Sequence, residues 1–531
     1  MDVGNMRAAL LRVLMLVLGL GIVFAAHGAN TTLGISSAGA TAGDTAAALN
    51  VHPMRGSGTS YDVNQSNHTQ DGIAVDGTDY RAISGKVLLA TESNAIIPKS
   101  MTPNALGTED SDFQVLLDTA VDVGSVATFL AQQTFTVGSH PASVTMADVN
   151  GDGKPDLIVA NLSDNTVSVL LNTTVSGAAT PSFAAQQTFV TGPYPYSVTA
   201  ADVNGDGKPD LIVANAGGPN QNSYGTVSVL LNTTVLGAAT PSFAVLQTFA
   251  TGSQPTSVIA IDINGDGNPD LVVANNIGGS VSVLLNTTAP GAVTPSFAAQ
   301  QIFGTGTGSY SVTAADVNGD GKPDLIVANS SVNTVSVILN TTAPGAAMPS
   351  FTAAQTFMVG VNPYSVTTAD LNGDGKPDLI AANWRDGTVS VLLNATALGA
   401  ATPSFVVQQT FAVGASPLSI TAADVNGDGK PDLIVANSDS TVSVLLNITA
   451  PSAATTSFAA QQTFGTGSTS APSFGASSVT VADINGDSKR DLIVANNGDN
   501  KVSVLLNTVT PVASGSSGGG ASSPWLVAGL G

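Results

Sequence analysis

The chain has no cysteine in 531 residues. That excludes a disulfide framework and any thiolate metal site. Lys and Arg together number only 15 and form no patch, which argues against a nucleic-acid partner. Histidine occurs four times; His27, His52 and His68 lie outside the repeated part of the chain, and His140 has no acid or nucleophile partner in the pattern. There is no HExxH and no phosphate-cradling loop, and GxSxG spacing occurs only as Gly515 to Gly519 in a Gly/Ser run, so hydrolase, zinc-protease or NTPase chemistry has no motif to rest on. We expect no catalytic residues and no enzyme activity. The apolar run Val13 to Ala26 is short for a membrane span.

What the chain has in excess is acid. It carries 37 Asp and Glu and a net charge of −22. Much of this sits in one stretch, Asp148-Val149-Asn150-Gly151-Asp152-Gly153-Lys154-Pro155-Asp156. Side-chain oxygens at positions 1, 3, 5 and 9, with glycine at the sharp turn, follow the pattern of a calcium loop. Asp148, Asn150, Asp152 and Asp156 are the candidate side-chain ligands, and the carbonyl of Lys154 the candidate backbone ligand. The set recurs as Asp202, Asn204, Asp206, Lys208 and Asp210; as Asp262, Asn264, Asp266, Asn268 and Asp270; and as Asp316, Asn318, Asp320, Lys322 and Asp324. It recurs again as Asp370, Asn372, Asp374, Lys376 and Asp378; as Asp424, Asn426, Asp428, Lys430 and Asp432; and as Asp483, Asn485, Asp487, Lys489 and Asp491. Acidic turns also form without metal, because Asp and Asn bond their own backbone. Seven copies with one set of ligand types favour Ca2+ at about seven sites. The loops hold 21 of the acidic residues, so seven divalent ions would leave a charge of about −8. In the seventh loop Ser488 replaces the turn glycine; a side chain there is strained, and this site is expected to be the weakest.

First Asp residues of successive loops are 54, 60, 54, 54, 54 and 59 residues apart. Each unit offers four short strand signals. In the first they are Ser143 to Ala147, Asp156 to Asn161, Thr166 to Asn172 and Phe183 to Phe189. The second is apolar at every central position, as suits a strand covered on both faces. The expected fold is all-β, a seven-bladed β-propeller of four-stranded blades with calcium loops. The Phe-rich strand is shifted, with its first copy, Phe129 to Phe135, ahead of the first loop and none after Asn507. An N-terminal outer strand should therefore complete the last blade and close the ring.

The remaining segments frame this region. Residues 1–28 read as a signal peptide, with Arg7 and Arg12 ahead of the apolar run and small residues at Ala26-His27-Gly28; an uncleaved anchor is the alternative. Residues 29–126 read as an Ala/Gly/Ser/Thr-rich spacer or cap, 127–507 as the propeller, and 508–531 as a Gly/Ser-rich tail. The tail's apolar end is either frayed or the start of a sorting signal.

The repeat resembles the FG-GAP and VCBS families, on Thr134-Phe135, Gly138, Pro141, Ser143-Val144, Asp148 to Asp156, Leu157 to Asn161 and Val167 to Asn172, recurring over residues 129–507. These families include the propeller of integrin alpha subunits and many secreted bacterial proteins. The resemblance implies the fold and calcium. For function it spans adhesion, carbohydrate binding and a few enzymes. Position 3 is Asn in all seven loops where integrin loops often carry Asp, and one carboxylate fewer implies weaker sites.

Strand order places the Asp loops on one face. The opposite face varies from unit to unit and collects Tyr194, Tyr196, Tyr224, Tyr310, Tyr364, Trp384 and Arg385. These are candidate ligand-binding residues; drift in unconstrained loops is the alternative. Asn172, Asn232, Asn286, Asn340, Asn394 and Asn447 each begin an N-x-T triplet, either a glycan acceptor in a eukaryotic host or a repeated turn. The reading that follows is a secreted or cell-surface, calcium-binding, monomeric propeller with no membrane helix in its mature form. It binds an extracellular protein or glycan through the face opposite the loops. A glycan-processing module and a purely structural envelope protein are the alternatives.

Overall fold

The computed structural model describes residues 126–509 apart from 219–223 and 468–474; for Tyr224, and for six strands ahead of residue 126, it describes the backbone alone. The proposed signal peptide, spacer and tail lie wholly or largely outside the described residues. The chain divides into two compact units, Met1–Val123 and Gly124–Gly531. In the first, Leu20–His27, Asn30–Ser37 and Ala95–Ile96 form one three-stranded sheet, and Leu88–Leu89, Ala47–Gly58 and Asp110–Asp118 another.

The second unit consists of seven four-stranded antiparallel sheets, here called blades 1 to 7. Blade 1 runs Pro141–Ala147, Asp156–Asn161, Thr166–Leu170, Gln187–Val190. Blades 2 to 6 repeat it, with inner strands Pro195–Ala201, Pro255–Ile261, Ser309–Ala315, Pro363–Ala369 and Pro417–Ala423. Blade 7 has Ala476–Ala482, Asp491–Asn496 and Lys501–Leu505, and takes Gln133–Thr136 as its fourth strand, with Phe135 opposite Val502. Each inner strand lies against the next, and that of blade 7 against that of blade 1.

Burial explains the composition of each strand. Every residue of Asp156–Asn161 is buried. Leu157 and Val159 enter the core shared with blade 7, while Ile158 and Ala160 enter the core shared with blade 2. Successive side chains point to opposite faces, and both faces meet a neighbouring blade, so there is no polar side. The outer strand differs from its sequence signal. Phe183 makes an isolated bridge with Asn172, and regular pairing resumes only at Gln187. Between them Gln186 Oε1 accepts the Ser168 hydroxyl at 2.6 Å, a side-chain bond at a point where the ladder is interrupted. The Phe at each end of this segment joins the blades. Phe189 meets Phe243 of blade 2 edge-on at 4.8 Å, and the pairs continue round to Phe135–Phe183 and Phe129–Phe464. Edge-to-face pairs of this kind contribute about 0.5–1.5 kcal/mol beyond their buried area.

Candidate functional site

The Asp loops connect inner to second strands. In the first loop Asp148 Oδ1 accepts the Asp152 N–H at 3.0 Å and Oδ2 accepts the Gly153 N–H at 2.7 Å. Asp152 Oδ1 accepts the Lys154 N–H at 3.0 Å. The chain can curl this tightly because Gly151 and Gly153 take φ of 71° and 84°, a region that side chains disfavour. Ser488 keeps the shape of the seventh loop, giving the same N–H bond to Asp483 at 2.7 Å from a φ of 67°.

The ninth residue behaves differently. Asp156 has no solvent exposure. Its Oδ2 accepts the Val149 N–H at 2.8 Å and its Oδ1 the Asn172 N–H at 2.7 Å. Among the described residues no three acidic or histidine side chains converge on a common point at metal-ligand range. Asp148 and Asp156 both accept two backbone N–H bonds, but Asp148 is half-buried and Asp152 exposed where Asp156 is buried. Burial pushes the Asp156 carboxyl up to about 6; the two backbone N–H bonds pull it down, and the charges of Asp152 and Asp148 raise it further. Asp210, Asp270, Asp324 and Asp491 are likewise pushed to about 6, and Asp378 and Asp432 to about 7, in each case chiefly by burial.

These buried aspartates belong to a feature that the sequence reading missed. Asn172 gives its N–H to Asp156 and donates its Nδ2 to the Ile484 carbonyl of blade 7 at 3.0 Å. In blade 2, Asp210 holds Val203 and Asn232, and Asn232 Nδ2 donates to the Val149 carbonyl at 2.9 Å. The chain of bonds passes through Asn286, Asn340, Asn394 and Asn447 to Asn507, which reaches Val425 of blade 6. Asp491 then bonds both Asn507 and Ile484. One Asp and one Asn per blade therefore form a closed hydrogen-bonded belt. This decides between the two readings of the N-x-T triplets. The Asn172 side chain is 1% exposed and has its Nδ2 occupied, so it is a structural turn. Asn507 makes the same bonds and is followed by Thr508-Val509, which is not an acceptor sequence. The repeated Asn could have been suspected from that seventh copy.

Position 3 of the loop joins neighbouring blades too. Asn150 Nδ2 donates to Ala238 of blade 2 at 3.1 Å, and the Asn150 carbonyl accepts the Gly237 N–H at 2.6 Å. Asn204, Asn264, Asn318, Asn372 and Asn485 repeat the side-chain bond. An aspartate could not donate, which supplies a physical reason for Asn here beyond the count of carboxylates.

A second ring runs at the axis. Val198 N–H donates to Ser143 Oγ at 3.3 Å, and Ser197, Ser257, Ser311, Ser365, Ser419 and Ser478 accept in the same way from the next blade. Above it, at the end away from the Asp loops, lies a cavity of about 180 Å³. A register shift after Pro141 lets both Ala142 and Ser143 line it. The position of Ala142 varies by blade: Tyr196, Thr256, Tyr310, Tyr364, Leu418 and Ser477. Tyr196–Tyr310, Tyr310–Tyr364 and Tyr364–Trp384 pack edge-on at 6.1, 4.2 and 5.5 Å. Burial and then Tyr196 push the Tyr310 phenol well above its ordinary value, so it stays neutral.

The structure thus gathers Tyr196, Tyr310, Tyr364 and Trp384 into one arc. The three tyrosines, read as loop residues, are second residues of inner strands. Tyr194 precedes its strand with φ 58° and does not line the cavity. Arg385 is exposed beside Trp384. The side chain of Tyr224 lies outside the described residues. Among the described residues, no helix is long and apolar enough to cross a membrane.

Solved structures similar to this chain include the following two. One is BBS1N in complex with ARL6DN, soaked with lead, at 11% identity over 72% of this chain and 97% of that one, with a TM-score of 0.45. The other is Raptor of Chaetomium thermophilum, at 14% identity over 73% of this chain and 30% of that one, with a TM-score of 0.44. No curated protein matches. The FG-GAP-like repeat matches at residues 148–213, 262–327, 316–381, 370–435 and 424–494. Those residues make up more than half of the chain, and with seven four-stranded blades around one axis the protein belongs to the FG-GAP-like repeat family, a propeller of the binding and adhesion type.

Proposed function

We propose that this propeller is a secreted or cell-surface binding module that engages an extracellular protein or glycan through the face opposite the Asp loops, without catalysis of its own. The observation that carries this is the contrast within one repeated unit. Residues of the Asp belt and serine ring are the same in every blade, whereas those around the axial cavity change from Ala142 to Tyr196 to Leu418. Aromatic side chains with a polar tip, backed by a rigid scaffold, are the usual currency of recognition.

Calcium at the loops is part of the same proposal. The donors are hard oxygens, and Asp148 and Asp152 both raise the carboxyl of Asp156, a crowding of like charge that a divalent ion would relieve. Asp148, Asn150 and Asp152 would hold it, while Asp156 keeps its backbone bonds. The test is a glycan and matrix-protein array probed with the full chain and with Trp384→Ala/Arg385→Ala. Capture that the double variant loses supports the reading. Capture that it retains, or that only loop substitutions abolish, puts the binding surface elsewhere.

A further inference from the structure

The cavity at the axis has a chemistry that narrows the ligand. Its wall is divided. Tyr196, Tyr310 and Tyr364 occupy one side, and the smaller Ala142, Leu418 and Ser477, with Leu162 and Asn497 beside them, leave the other more open. Beneath them each ring serine accepts a backbone N–H, Ser197 from Val258 for example, and that bond leaves the hydroxyl hydrogen to donate. No Asp, Glu, Lys or Arg is among the lining residues. A bare cation or anion would lose its hydration there without a counter-charge. A wholly apolar ring would leave the hydroxyls of the ring serines unmet. About 180 Å³ is also below the roughly 300–1,000 Å³ of pockets that take drug-sized ligands. One ring fits, and an oligomer does not.

Resting on the proposed binding face, we infer that this cavity receives a single neutral sugar ring of the pyranose class, with an apolar C–H face against the tyrosines and its hydroxyl edge toward the serines. The ring is either free or the end residue of a glycan; an internal residue would need an exit on both sides. Calorimetric titration of the full chain with neutral methyl pyranosides, glucuronate and glucosamine tests this. Oligosaccharides carrying the bound residue at the end or in the interior separate the two sources.

The expected result is one site per chain for a neutral pyranose, with end-linked residues bound and internal ones refused. Ala142→Leu, which fills the open side, and Tyr364→Ala, which removes one aromatic face, should each weaken binding at least about tenfold with the melting transition retained. Should Ala142→Leu fail to fold, Leu418→Phe narrows the same side from blade 6. Charged sugars bound as well as neutral ones, or affinity untouched by both variants, overturns the inference. So does the absence of neutral-sugar binding. If array capture survives in that last case, only the sugar assignment fails; if capture is absent too, the binding-face reading fails with it.

Discussion

The two faces of this propeller are built from the same repeat under opposite constraints. On the Asp-loop face the belt aspartates bond within their own blade and the asparagines reach across the blade boundary. Asp210 holds the Val203 and Asn232 N–H groups, Asn232 reaches Val149, and Asn150 reaches Ala238. A change in one blade leaves a buried partner unpaired in the same blade or the next. At the axial mouth of the other face, two of the seven equivalent positions bond a neighbouring blade: the Thr256 hydroxyl donates to the Tyr310 carbonyl and the Ser477 hydroxyl to the Pro141 carbonyl, each at 2.7 Å. Uniformity on one face and variety on the other follow from that difference in wiring.

The largest test of this comparison is to cut the belt. Asp210→Ala leaves two buried N–H groups, of Val203 and Asn232, without acceptors. At about 1–3 kcal/mol for each unsatisfied group, the loss is roughly 2–6 kcal/mol. Ala142→Ser at the mouth should change stability by no more than about 0.5 kcal/mol. Urea unfolding of both variants checks this. Equal losses would mean that the belt is incidental and that the faces differ for another reason.

A smaller effect separates the belt from the cation. The seven belt carboxyls are raised to about 6 or 7 by burial. A folded-state pKa above the unfolded one means that the folded chain binds more protons between the two values. The contribution is therefore fully present below the unfolded value and is lost as pH rises through the folded one. In chelator the protein should be more stable near about pH 5 than near about pH 7.5. A cation held at Asp148 and Asp152 would be attracted by the neighbouring Asp156 carboxylate once that group is ionised, so the stabilisation calcium adds should grow over the same interval. Denaturant titrations at both pH values, with calcium and with chelator, measure this. A calcium increment of zero at both would remove the metal from the proposed function and leave the belt intact.

The fold was readable because each strand signal repeats seven times and the shifted Phe129–Phe135 copy has one place to go. The Asp spacing was equally visible, but its meaning was not. Oxygen ligands and hydrogen-bond acceptors are the same side chains, and alternate spacing cannot say that Asp156 faces the backbone of Val149 and Asn172. The Asn of each N-x-T triplet was opaque for a related reason. Its partner lies in another blade, 312 residues away for Asn172 and Ile484. Tyr196, Tyr310 and Tyr364 were found by their rarity, while their convergence depends on the ring, which brings residues 114 positions apart to within 3.5 Å at the Tyr196 and Tyr310 hydroxyls.

The smallest effect concerns the one loop that departs from the pattern. Ser488 occupies the turn position at φ 67°, where the other loops place glycines such as Gly153 at 84°. For a residue with a Cβ this conformation costs about 1–2 kcal/mol, partly offset because glycine loses more freedom on folding. Ser488→Gly should therefore stabilise blade 7 by roughly 0.5–1 kcal/mol. The gain should be the same in chelator as in calcium, because the Ser488 N–H already makes its bond to Asp483 and the loop has its shape before any ion arrives. A gain seen only with calcium would show instead that the loop is remade on binding, and that the Asp-loop face owes its uniformity to the ion as well as to the belt.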